Sequence, residues 1–139
     1  MSKQNLLMNL RAGCGFVLGY LTLFLGGWDT LLRALLIVMA ADIVTGLLIA
    51  LREKALSSAV GFRGISKKAL ILLIVGLSHV LDESIGGGAL RGAVLGFYIS
   101  NEGLSVLENA ARLGLPVPEK LKGALSQLRG KEENHGTTV

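Results

Sequence analysis

The sequence predicts an all-α membrane protein of three to four transmembrane or re-entrant helices, with a short amphipathic helix near the carboxyl end. Three observations predict it. Hydrophobic residues make up 51% of the chain and charged residues only 17%, where a soluble domain carries about a quarter charged residues. The apolar residues gather in four runs divided by polar or glycine-rich segments. Nineteen glycines against two prolines suit helices that pack closely in lipid, where small residues let backbones approach.

The membrane domain is expected over residues 1–113, with helices at about 5–27, 29–51, 66–82 and 89–113. The first contains "AGCGFVLGYLTLFLGG" and is followed by Trp28, placed where an interfacial aromatic belongs. The second contains "LLRALLIVMAADIVTGLLIAL", with Asp29 as its N-cap. Its dozen Leu, Ile and Val residues contribute roughly −0.4 kcal/mol each to insertion against about +3 for Asp42, so it inserts despite the aspartate. "REKALSSAVGFRGISKK" reads as a basic loop. The third run, "ALILLIVGLSHVL", covers only about 20 Å as a helix. It needs Lys67, Lys68, Asp82 and Glu83 to snorkel if it is to cross. "ESIGGG" is a turn, and the fourth helix runs from Ala89 to the "LPVPEK" segment, where proline ends it. On the same scale this helix sums to near zero, so it depends on neighbours or water. Residues 114–139 form a cytoplasmic segment, with Leu121, Leu125 and Leu128 on one side of a short helix and a disordered tail "EENHGTTV".

Several function classes fall away. "GLSVL" around Ser105 lacks the second glycine of a nucleophile elbow. "IGGGALRG" has neither the spacing nor the preceding strand of a dinucleotide fingerprint, and no P-loop precedes Gly130–Lys131. His79, His135 and the lone Cys14 give no zinc-ligand spacing and no internal disulfide. No cleavable signal peptide is expected, because "GGWDT" follows the first run where a small-x-small site would stand. The sequence therefore gives no catalytic residue, no metal ligand, no cofactor and no nucleic-acid site.

The informative residues are polar groups inside apolar helices, which are functional candidates by default. On the second helix Asp42, Thr45 and Gly46 share a face. On the fourth, Arg91, Tyr98, Asn101, Glu102, Ser105 and Asn109 supply a polar stripe suited to neighbours or to water. The bland alternative for Asp42 is a pair with Arg91 inside one protomer. Gly88, Gly92 and Gly96 recur every fourth residue, and Gly15 and Gly19 repeat the spacing in the first helix. These five glycines are the expected oligomerisation seam. Arg52, Lys54, Arg63, Lys67 and Lys68 form the expected cytoplasmic basic loop, an orientation signal and a contact for anionic lipids.

In order along the chain, Trp28, "ADIVTGLLIAL", "LSSAVGFRGISKK" and "FYISNEGLSVLENAARLGLPVPEKLKGAL" resemble the phage-lysis and toxin-secretion holins. The resemblance spans roughly Trp28 to Leu128, and the last block is its most specific part. The matching positions are Asp42, Gly46, Ser58, Gly61, Gly64, Lys67, Lys68, Asn101, Glu102, Ser105, Glu108, Asn109 and Pro116. The resemblance implies a small multi-span protein of the bacterial cytoplasmic membrane that forms homo-oligomers and opens lesions. Through these it releases an endolysin or a large toxin, and an antiholin is a further partner. An antiholin regulator on the same scaffold, or a small ion channel using Asp42 and Glu102, are the rival readings.

Charge fixes the expected orientation. The central loop and the carboxyl segment are rich in Lys and Arg, whereas the turns at Trp28–Asp29 and Asp82–Gly88 are poor in both. Both termini should be cytoplasmic. A membrane-impermeant thiol reagent should reach cysteines placed at Asp29 or Gly87 in intact cells and miss cysteines at Ser57 and Thr137. Labelling at Thr137 would reverse the topology.

Overall fold

A computed structural model describes residues 2–124, 126 and 127. They form four long helices, α1 (Lys3–Phe24), α2 (Thr30–Arg52), α3 (Ser58–Ile85) and α4 (Leu90–Arg112), and a short helical segment over 119–124. Leu125, Leu128 and the "EENHGTTV" tail of the sequence expectation lie outside the described residues. The protein is all-α, and α1, α2 and α3 are long and apolar enough to cross a membrane. Of the three, α2 is the most apolar.

Capping explains where the helices start. The Ser2, Asp29 and Ser57 side chains accept from the backbone N–H of Asn5, Leu32 and Val60, each satisfying one of the orphan donors of a first turn. Ser57 changes the reading of the third segment. "SSAVGFRGISKK" is helical rather than a loop, and α3 has 28 residues, about 42 Å at 1.5 Å per residue. Its composition of Ser, Gly and charge hid a helix that begins at a serine cap. Lys67 and Lys68 thus belong to the body of a helix and not to a basic loop.

α2 and α4 make the most extensive helix contact, and they run in the same direction. Asp29 at the start of α2 meets Arg91 at the start of α4, while Glu53 just past α2 meets Arg112 at the end of α4. α3 runs against both, since Asp82 near its end receives the Leu90 and Arg91 amides that open α4. Leu32, Leu35 and Met39 of α2, Ile71 and Val75 of α3 and Leu95 of α4 are buried together as the core. This core occupies the half of the bundle toward Asp29. From Ser58 to Lys67 no residue of α3 is buried, so the helix stands free of the core over its first turns.

α1 buries nothing. Its one close seat is at its end, where the Phe24 ring lies over Gly76 of α3 so closely that a Cβ at that position would overlap the ring. The remaining apolar side chains of α1, including Leu6, Phe16, Leu18 and Leu23, are exposed, which in a membrane protein means exposure to lipid. Gly76→Leu should expel Phe24 and destabilise the protein by about 1–3 kcal/mol through overpacking. The same change in a Phe24→Ala background should cost much less. Thermal unfolding of the four proteins in one detergent measures the difference, and equal costs would remove this contact from the fold.

Candidate functional site

Asp42 and Glu102 occupy equivalent heights. Asp42 lies 12 residues after Thr30 and 10 before Arg52, and Glu102 lies 12 after Leu90 and 10 before Arg112. The parallel pairing of α2 and α4 therefore brings two carboxylates to the middle of the bundle. Lys68 projects between them from α3. Its Nζ donates to Asp42 Oδ2 at 2.7 Å and also to Glu102 Oε2. Lys68 is 7% exposed and Glu102 is completely buried.

The neighbours complete a network. Asn109, two turns beyond Glu102, donates from Nδ2 to Asp42 Oδ1 at 3.1 Å and to Thr45 Oγ1 at 3.0 Å. Thr45 in turn donates to the Ala41 carbonyl at 2.9 Å. A Cβ at Gly46 would come within 4.0 Å of Asn109 Nδ2, so the Asp42–Thr45–Gly46 face is the one turned toward that amide. Glu102 Oε1 is the one buried side-chain N or O atom without a partner among the described residues. Two carboxylates and one ammonium leave a formal charge of −1 at mid-bundle. Separating such groups once buried is expensive, because each then stands uncompensated in a low dielectric.

A second polar cluster closes the end of the bundle at the α1–α2 turn. Arg91 donates to Asp29 Oδ2 at 2.6 Å, to the Leu25 carbonyl at 2.6 Å and to the Gly27 carbonyl at 3.4 Å. One side chain of α4 thereby holds the whole turn. Asp29 is thus Arg91's partner, and the alternative pairing of Arg91 with Asp42 does not occur. The Arg91 guanidinium hydrogen-bonded to Asp29 holds its carboxyl below the ordinary value, against the opposing effect of burial. At the opposite end Arg112 donates to Glu53 at 2.8 Å and Arg52 to the Arg112 carbonyl at 3.2 Å.

The other sequence candidates divide. Tyr98 packs half-buried against the core. Asn101 and Ser105 are half-buried, with no side-chain hydrogen bond among the described residues. Gly88 has φ +66° and precedes α4, so the three-glycine ladder is in fact a pair, Gly92 and Gly96. A Cβ at Gly15, Gly19 or Gly92 would meet nothing within 4 Å, which leaves these surfaces open. Arg52, Lys54, Arg63 and Lys67 are exposed. Lys68 is the member of the buried network that sequence reasoning placed in a loop. Its signal was the spacing Lys68, Ile71, Val75, Ser78, all buried, which marks one helical face.

The model of the bacteriophage holin family matches residues 19–130. The chain belongs to the bacteriophage holin family. Among curated relatives, it is 40% identical over 131 residues to an uncharacterized 14.9 kDa protein of Clostridium perfringens, covering 93% of this chain and 99% of that one. The uncharacterized protein YqxH of Bacillus subtilis is 34% identical, over 79% of each chain. A protein of Bacillus phage phi105 named "Probable holin" is 35% identical over 96 residues, 68% of this chain and 71% of its own. No solved structure matches. This holin-family chain is a multi-helix membrane protein, in a family of generally non-enzymatic proteins.

Two measurements check the clusters. Lys68→Met leaves the buried Glu102 unpaired and the half-buried Asp42 without its counter-charge, and should cost about 3–5 kcal/mol. Adding Asp42→Asn and Glu102→Gln should recover much of that loss, as read by unfolding in detergent. At the Arg91 cluster the sign follows from a depressed carboxyl. The stability contributed by Asp29 is fully present above its unfolded value, near 3.9, and is lost as pH falls through the lower folded value. Asp29→Asn should therefore weaken the protein at neutral pH and flatten the acid limb of its stability profile below about pH 4.

Proposed function

We propose that this protein is a lesion-forming holin, which accumulates in the bacterial cytoplasmic membrane, oligomerises and releases an endolysin or a comparably large protein. The observation that carries the proposal is the contrast between outside and inside of the protomer. The surfaces of α1, α2 and α3 expose Leu, Ile, Val and Phe, while Asp42, Lys68, Glu102 and Asn109 are linked to one another within. Such a protomer dissolves in lipid while storing a polar face that assembly can turn toward water.

The same contrast supports four crossings. α4 is 23 residues long, as is α2, about 35 Å and enough for a hydrocarbon core near 30 Å. It lies beside α2 and runs with it, so Arg91, Glu102 and Asn109 enter the membrane already paired. Both termini then share the cytoplasmic side with the Arg52, Lys54 and Arg112 end, where anionic headgroups are the natural contacts. An ion channel using Asp42 and Glu102 is disfavoured, because the Lys68 ammonium occupies the space between them.

Induced expression in bacteria that also make a cytoplasmic muralytic enzyme should give abrupt lysis, whereas gradual ion leakage without enzyme release would refute the reading. Gly92 and Gly96 are assigned to the seam between helices of different copies, with Gly15 and Gly19 as a second seam. Leucine at both Gly92 and Gly96 should leave the protein in the membrane yet abolish lysis and deplete high oligomers in crosslinking. Normal timing with normal oligomers would move the interface elsewhere.

A further inference from the structure

We propose that Arg63 on α3 of one protomer pairs with Glu108 on α4 of a second copy, so that these two helix faces form a charged contact between protomers. The proposal rests on the assembly step of the holin reading, and it names the surface that carries it. Arg63, Lys67 and Glu108 are all exposed, and none has an ion-pair partner among the described residues. Charges at membrane depth are paired or turned to water as a rule. Every other charged residue of α4 obeys it, with Arg91, Glu102 and Arg112 all bonded within the protomer. Glu108 is the exception.

Depth makes the match. Copies related by rotation about the membrane normal can touch only through residues at the same height. Lys68 and Glu102 are in contact, which ties the height of α3 to that of α4. Arg63 lies five residues before Lys68 and Glu108 six residues after Glu102. The helices run in opposite directions, so both residues lie on the same side of the contact, about 7.5 and 9 Å from it along the bundle. Their charges are opposite and their heights agree to about one residue. On α3, Lys67 follows Arg63 by one turn on the same face and reinforces the positive side. That stretch of α3 is little covered in the protomer, since from Ser58 to Lys67 only Ser66 is even half-buried.

Two differently tagged copies, both carrying Cys14→Ser, test the contact in membranes. One carries Arg63→Cys and the other Glu108→Cys. Mild oxidation should give mixed-tag dimers at several times the yield of a control pair, Arg63→Cys with Ala93→Cys, whose heights do not match. In separate cells Glu108→Arg should shrink the oligomers seen in mild detergent, and adding Arg63→Glu should restore them. If Arg63 serves anionic headgroups alone, Glu108→Arg leaves assembly unchanged, and the proposal is overturned. Equal yields in the two cysteine pairs would overturn it as well. Mixed dimers and charge rescue in cells that never lyse would uphold the contact and sink the lesion reading, whereas lysis without either would do the opposite.

Discussion

The fold depends on one ammonium placed between two carboxylates. α2 and α4 run side by side in the same direction, which brings Asp42 and Glu102 together at matching heights, and like charges so placed repel. Lys68 removes the repulsion by entering from the antiparallel helix. It binds three helices at one point, and it fixes their register, since a shift of a single turn would strand all three charges. The apolar contacts among Leu32, Leu35, Ile71, Val75 and Leu95 supply area without such exact alignment. In lipid they also supply less discrimination, because hydrocarbon competes for the same surfaces.

The network also accounts for a helix that hydropathy alone would reject. α4 falls outside the helices apolar enough to cross by composition, yet it has the length of α2 and is paired with it from end to end. Three of its four charges are neutralised by groups elsewhere in the bundle: Asp29 on the α1–α2 turn, Lys68 in the middle, and Glu53 beyond the end of α2. The cost of placing α4 in a membrane is thus a property of the bundle rather than of its own sequence.

Much of this was legible in the residues. The four apolar runs, the Asp29 cap and the intramembrane candidates Asp42, Glu102 and Asn109 follow from periodicity and local chemistry. What periodicity could not supply was partnership. Arg91 and Lys68 each lie within reach of a carboxylate only in three dimensions, and nothing along the chain distinguishes Asp29 from Asp42 as the mate of Arg91. The start of α3 was hidden for a different reason. Gly61 and Gly64 lower helix propensity and the charges break the apolar pattern, and the helix forms there because it continues a strongly apolar segment from a serine cap. Gly76 was invisible as well, since only the Phe24 ring above it gives that glycine a role.

The near-isolation of α1 has an evolutionary reading. Up to Leu23 its side chains answer to lipid, and the bundle holds the helix through Phe24 and the turn that Arg91 grips. Within the protomer nothing packs against such a segment, so one apolar residue can substitute for another without disturbing the core. The family pattern begins at residue 19, close to where α1 first meets the rest of the molecule. Inside one protomer the tolerance for change is therefore unevenly spread: wide along α1, where hydrocarbon accepts any apolar side chain, and narrow at the ionic centre, where geometry admits few.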